Sequence, residues 1–235
     1  MGQIYLVRHG QASFGAADYD NLSERGVDQS RRLGEWFKTC GVTFNGVVTG
    51  GLRRHKQTAD ACLAALPGSP AVGQWRTDPG FDEYNHVEVL AKHTPKHLDP
   101  IAAKDQLKAQ DNPRKTFQKM FAQAMDRWMS GRFDSDYVES WPAFRARCVA
   151  ALRRAVASAG GSQAVAVFTS GGAIAAICQE LLEFPNAKAA DLNFSIVNSA
   201  VTKLLYNAEG RVSLSYLNNF AHLEQSGPGD HITYR

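Results

Sequence analysis

The run Ile4-Tyr5-Leu6-Val7, followed at once by Arg8-His9-Gly10, constrains this chain most. A short apolar run this close to the N-terminus reads as a buried strand. Its C-terminal end delivers a planar cation, a titratable ring and a residue that lets backbone approach closely. In open α/β sheets the crevice beyond the carboxyl ends of strands is where ligands bind. These residue types in that place suit phosphate, and the first implication is phosphoryl chemistry on a histidine. A second run, Gln163–Thr169, is unbroken and apolar, as a strand buried on both faces requires, and it feeds Ser170-Gly171-Gly172. Together they predict a three-layer α/β/α fold with a mostly parallel central sheet.

Elsewhere the chain alternates. Ser23 stands where an N-cap belongs for a helix to about Thr39, with Gly26, Ser30, Leu33, Trp36 and Phe37 on its inner face. Phe44–Thr49 predicts a second strand, and Gly50-Gly51 the turn into a helix whose Ala59, Cys62, Leu63 and Leu66 recur at helical spacing before Pro67-Gly68. Ala71–Arg76 predicts a third, shorter strand. Residues 79–140 break the alternation. Their helical pieces, the clearest over Arg114–Ser130 with Phe117, Phe121, Ala124 and Trp128 in one stripe, predict a helical cap or lid inserted in a single 1–235 domain. Helices over Trp141–Ala159 and Gly171–Leu182 flank the long strand, and Val201–Tyr206 with Val212–Leu217 predict a hairpin. The tail after Gln225 predicts a frayed end.

A net charge of +3 without a Lys/Arg run excludes nucleic acid as the expected partner. The longest apolar tract, Ala164–Cys178, is interrupted by Thr-Ser-Gly-Gly and does not suit a membrane span. The first residues lack a signal-peptide pattern, and Leu6 stands where a myristoylation motif needs Ser or Thr. Cys40, Cys62, Cys148 and Cys178 form no C-x-x-C pair, and most of them fall on apolar helix faces, so they read as reduced thiols. The expectation is a cytoplasmic protein without cofactor or metal, since no His/Cys/carboxylate cluster has ligand spacing.

The chemistry-bearing residues converge on one predicted sheet edge. Arg8, His9 and Gly10 end the first strand, Arg53 and Arg54 open the second helix, Glu83 follows the third strand, and Ser170 and Gly171 lead into the next helix. Helix N-termini with glycines favour an anion, and two arginines clamp one phosphate bidentately. A neutral imidazole among them attacks phosphorus and splits the displacement into two steps. A carboxyl nearby protonates the leaving oxygen and then activates water.

The motifs Arg8-His9-Gly10, Leu22-Ser23-Glu24-Arg25-Gly26, Leu52-Arg53-Arg54-His55-Lys56-Gln57-Thr58-Ala59, Glu83, Glu139-Ser140-Trp141 with Arg147, and the Gly-Gly helix start together resemble the histidine phosphatase (phosphoglycerate-mutase-like) superfamily. The resemblance covers nearly the whole chain. It implies a metal-independent phosphatase acting on a small phosphorylated substrate or a phosphoprotein, with His9 as nucleophile and Glu83 as acid/base. Arg8, Gly10, Arg54, Ser170 and Gly171 would bind substrate. The Arg-x-x-x-Thr pattern selects Arg54 over Arg53, and Asp82 is the substitute for Glu83. One departure stands out: the family's second histidine, at the end of the long strand, is here Ser170. A serine donates only a neutral bond, so activity is expected to be reduced and Ser170→His to raise it. His86 is the candidate for reaching into the gap, whereas His93 and His97 read as surface residues. A mutase is disfavoured, because mutases keep the second histidine.

Each of these residues also has a plainer explanation. Ser170 before Gly-Gly looks like an N-cap, Arg54 like a surface ion-pair residue, Glu83 like a solvated carboxylate, and His222 like a structural histidine. Two alternatives follow. One is a catalytically weak or inactive member of the fold that binds phosphorylated ligands. The other is a serine hydrolase in which Ser170 is followed by Asp191 and His222, although Phe168 occupies the first glycine position of G-x-S-x-G.

Overall fold

Side chains along β1 (Gly2–Arg8) alternate between two apolar surroundings, and this makes the molecule three-layered. Ile4 and Leu6 join one buried cluster, while Tyr5 and Val7 join another on the opposite face. A computed structural model of the chain describes residues 1–13, 20–93, 112–225 and 231–234. Outside it lie residues 14–19, residues 94–111 of the expected insertion with His97, and residues 226–230 and 235 of the tail.

Among the described residues β1, β2 (Gly46–Thr49), β3 (Arg76–Thr77), β4 (Ala164–Thr169), β5 (Val201–Tyr206) and β6 (Val212–Asn219) form one sheet in the order β3-β2-β4-β1-β5-β6. The first four of these are mutually parallel, and β5 and β6 run antiparallel at the other edge. Helices α1 (Glu24–Thr39) and α2 (Arg53–Ala64) cover one face through Leu33, Phe37, Ala59 and Cys62. The other face is covered by α3 (His86–His93), α4 (Pro113–Met129), α5 (Trp141–Ala159) and α6 (Gly171–Leu182), around Phe121, Trp128, Trp141, Phe144 and Ile174. A short α8 (Ala221–Glu224) closes the chain's last turn. No helix among the described residues is long and apolar enough to cross a membrane.

Local chemistry explains most boundaries. Ser23 caps α1 by accepting the Gly26 N–H at 3.1 Å, and Ser140 does the same for α5 with Ala143 at 3.4 Å. The expected third strand is corrected. Val72–Gln74 is a 3-10 turn, with the Gln74 side chain accepting the Ala71 N–H at 2.9 Å, and only Arg76–Thr77 pairs with β2. A helix absent from the sequence reading, α7 (Asn186–Ser195), follows Pro185. It buries only Ala189 and Ala190 fully, too weak an apolar stripe to register as periodic. The tail is not frayed throughout: the Gln29 amide donates to the His231 carbonyl at 2.6 Å and to Thr233 Oγ1 at 2.9 Å. Cys62, Cys148 and Cys178 are buried and Cys40 is exposed, all as free thiols.

Candidate active site

Parallel pairing brings Arg8 level with Thr169 and Thr49 level with Phe168. The residues that follow those strands, His9, Gly50 and Ser170, therefore emerge along one edge, beside the N-termini of α2 and α6.

His9 is buried and held from several sides. Its N–H donates to the Thr169 carbonyl at 2.9 Å, and its carbonyl accepts from Ser199 N–H and Asn198 Nδ2, each at 3.2 Å. The ring Nδ1 lies 2.7 Å from the Gly10 carbonyl. A carbonyl only accepts, so the ring proton sits on Nδ1 and Nε2 keeps its lone pair. Burial, then the charges of Arg54 and Arg8, hold the His9 pKa well below the usual histidine value. The ring is thus neutral at physiological pH, with a free lone pair on Nε2. Gly10 is dictated by space, since a Cβ there would lie 2.3 Å from the Gly26 carbonyl oxygen. Its N–H donates to Thr58 Oγ1 at 3.0 Å, and Thr58 donates on to the Arg54 carbonyl at 2.7 Å, tying β1 to α2.

Arg8 and Arg54 are both buried, while Arg53 faces solvent. The Arg8 guanidinium donates to the Ile196 carbonyl and lies beside Gly171. Arg54 Nη1 pairs with Asp20 at 2.8 Å. Asp20 also accepts the Arg53 N–H at 2.8 Å and so caps α2, whose N-cap Leu52 has no polar side chain.

Glu83 and Asp82 sit apart on adjacent residues. Glu83 Oε2 accepts the Gly172 N–H at 3.2 Å, at the start of α6. Burial raises its pKa, against the opposing charges of Arg54 and Arg8. Asp82 Oδ1 instead accepts the Gly51 N–H at 2.5 Å, and burial raises its pKa too. The loop carrying both is fastened by Arg147, whose Nη1 donates to the carbonyls of Pro79 at 3.0 Å and of Gly80 and Asp82 at 3.1 Å. Glu139 grips the same guanidinium at 2.6 and 2.9 Å. This gives the Glu139 and Arg147 motif a structural reason.

Ser170 occupies the expected N-cap position of α6 without capping through its side chain. It makes no capping bond, and its hydroxyl lies 2.6 Å from Nε2 of His55. His86 opens α3, and the imidazole that reaches Ser170 belongs to His55. His55, wholly buried with its ring centroid 5.9 Å from that of His9, is the residue on which the sequence reading placed no weight. The signal was present: His55, Ala59, Cys62 and Leu66 share one inward helical stripe, so a titratable ring stood at the head of an apolar face. The serine-hydrolase partners are not assembled. His222 Nε2 bonds Ser199 at 2.8 Å and Asp191 pairs with Lys188 at 3.2 Å.

A mostly parallel six-stranded sheet with helices on both faces and a buried His-Arg-Arg pocket at the strand ends is the phosphoglycerate-mutase-like α/β fold. The family model of the histidine phosphatase superfamily (branch 1) matches residues 4–219, and the chain belongs to that superfamily. A crystal structure of phosphoglycerate mutase from Bacillus anthracis superposes over 96% of each chain with a TM-score of 0.66 and 17% identity. Phosphoserine phosphatase from Entamoeba histolytica, in complex with 3-phosphoglyceric acid, aligns over 95% of this chain and 100% of its own, with a TM-score of 0.62 and 17% identity. At such identities these likenesses show the fold alone. Among curated proteins, a 2,3-bisphosphoglycerate-dependent phosphoglycerate mutase of Corynebacterium diphtheriae is 36% identical over 83 residues, which is 32% of this chain and 34% of that protein. The chain thus matches about a third of that relative's length.

Proposed function

We propose that the protein is a phosphatase that hydrolyses phosphomonoesters through a phosphohistidine on His9. The observation that carries this reading is the His9 ring itself, with Nδ1 tied to the Gly10 carbonyl at 2.7 Å and Nε2 left as the nucleophile, neutral between two buried arginines. Arg8, Arg54 and the Gly171 N–H at the start of α6 bind the phosphoryl oxygens. His9 Nε2 attacks phosphorus as the ester P–O bond breaks, and Glu83, whose pKa burial raises, gives a proton from its acid form to the leaving oxygen. Glu83 as carboxylate then takes a proton from water, which attacks the phosphohistidine and frees phosphate and His9. The residues present need no metal or organic cofactor for these steps. The described residues 84–93 and 112–140, which follow the loop that carries Glu83, are the place to look for contacts that select the alcohol portion of the substrate. The relatives include a mutase and a phosphatase, and water as the acceptor is what distinguishes the reading proposed here.

The test is turnover of p-nitrophenyl phosphate with acid quench of the enzyme. Wild type should accumulate an acid-labile phosphoenzyme, and His9→Ala should lose it together with roughly 10³-fold or more in kcat. Full turnover surviving in His9→Ala would end this reading, and phosphate binding without any turnover would favour a silent phospholigand-binding protein.

A further inference from the structure

His55 is left over by the mechanism above, yet it is one of the most enclosed polar groups of the pocket. Its Nε2 meets Ser170 Oγ at 2.6 Å, and its Nδ1 faces Asp82 Oδ1 at 3.8 Å without a hydrogen-bond partner among the described residues. Gly50 permits this approach, since a Cβ there would lie 2.2 Å from Nδ1 and 2.7 Å from Asp82 Oδ1. Ser170 heads α6 without capping it, so its hydroxyl serves His55.

An imidazole between a carboxylate and a hydroxyl is oriented by charge, with Nδ1–H toward Asp82. In the neutral ring Nε2 then accepts from Ser170, and the serine presents lone pairs to the pocket. In the imidazolium Nε2–H donates to Ser170 Oγ, and the serine proton turns toward whatever anion lies there. Resting on the phosphatase reading, we propose that His55 and Ser170 act as one two-residue donor to an oxygen of the transferring phosphoryl group. His55 takes the proton of the arriving monoanionic ester, Nε2–H donates to Ser170 Oγ, and Oγ–H donates to the phosphoryl oxygen; the proton leaves with the product phosphate. Ser170 is then a catalytic residue and His55 a positioning residue. The charged and titratable groups facing His55 are Arg54 on its own helix, His9 from the end of β1 and Asp82 from the loop after β3. Burial and the Arg54 charge keep the ring neutral in the empty pocket, and a bound phosphoryl anion offsets that charge.

The experiment compares wild type, His55→Gln, His55→Ala, Ser170→Ala and the double alanine variant, using p-nitrophenyl phosphate turnover, phosphoenzyme trapping and binding of vanadate against inorganic phosphate. Each alanine variant should lose about 10²–10³ in kcat with KM within about threefold. The double variant should lose no more than the worse single, as residues acting in series do. Vanadate affinity should fall with kcat while phosphate affinity holds within about threefold. His55→Gln keeps a neutral bond to Ser170 and should fold as wild type, with an intermediate rate. Nitrogen-15 histidine spectra should show His55 neutral in the free protein and protonated with vanadate. The proposal is overturned if wild type forms phosphohistidine on His9 while His55→Ala and Ser170→Ala turn over within about threefold of it. A multiplicative loss in the double variant, or acid-stable phosphate on Ser170, overturns it equally. If wild type forms no phosphoenzyme and turns nothing over, the phosphatase reading fails by itself. Vanadate binding then decides the pair: unchanged affinity in His55→Ala refutes it, and a loss of about tenfold or more upholds it.

Discussion

Ser170 changes its chemical meaning with its neighbour. Read alone, it is a lost histidine, and Ser170→His looks like the restoration of a donor. With His55 Nε2 only 2.6 Å from the serine oxygen and both residues wholly buried, that space is already filled by an imidazole. A larger side chain at 170 must displace His55 or the start of α6, and overpacking of this kind costs about 1–3 kcal/mol. The expected outcome therefore reverses. Ser170→His lowers both Tm and kcat, whereas His55→Ala/Ser170→His gains at least about tenfold in kcat over His55→Ala, because the second ring enters vacated space. Steady-state rates on an aryl phosphate and thermal melts of the three variants check this. A rise in kcat for Ser170→His alone would show that His55 does not occupy the donor position.

At the level of elements, the site depends on a loop that has little regular structure. Asp82 and Glu83 follow a single 3-10 turn over Pro79–Phe81 and are held mainly by α5 and β4. Arg147 of α5 donates to three loop carbonyls, and Thr169 at the end of β4 donates to the Phe81 carbonyl at 2.6 Å. Tyr84 then anchors the far side, its ring 4.9 Å from Trp128 and 5.6 Å from Phe144. Arg147→Ala removes the clamp and leaves Glu139 without its bidentate partner. It should cost about 2 kcal/mol of stability, and it should lower kcat/KM by about 10–100-fold through misplacement of Glu83. Denaturant unfolding and kinetics on an alkyl phosphate, whose poor leaving group needs the acid, measure both effects. An unchanged alkyl-phosphate rate would mean that α5 does not position the acid.

For the molecule as a whole, buried histidines set the acid limit of stability. His9 and His55 have pKa values held well below the ordinary one by burial and by Arg54, and burial lowers His222 to about 3. In the unfolded chain all three protonate near pH 6.5, so the unfolded state binds more protons as pH falls. Their contribution is whole above that pH and is lost as pH falls toward the folded-state values. For His222, whose folded value is about 3, one unit below costs on the order of 1 kcal/mol, and His9 and His55 add to the loss in the same direction. The raised carboxyls of Asp82 and Glu83 have the opposite sign and work against this trend at the acid end. Melting curves from pH 7.5 to 5.5 should show the decline, and His222→Gln, which can still meet Ser199, should make it shallower. A Tm that does not move over this range would mean that these rings do not stay neutral in the fold.

Two buried strands, the helices flanking them and the order of motifs were legible in the chain, because period-2 and period-3.6 apolar patterns and N-cap residues are local signals. The preference for Arg54 over Arg53 came from the resemblance to the family's Arg-x-x-x-Thr pattern, and in the structure Arg54 is buried and Arg53 exposed. Helix α7 and the brevity of β3 were not legible, since one has almost no apolar stripe and the other is decided by a side-chain bond from Gln74. The pairing of His55 with Ser170, 115 positions apart, was also beyond the sequence. Local pattern says which side chains point inward; which of them meet depends on strand register and the packing of α2 on β4, and those exist only once the chain has folded.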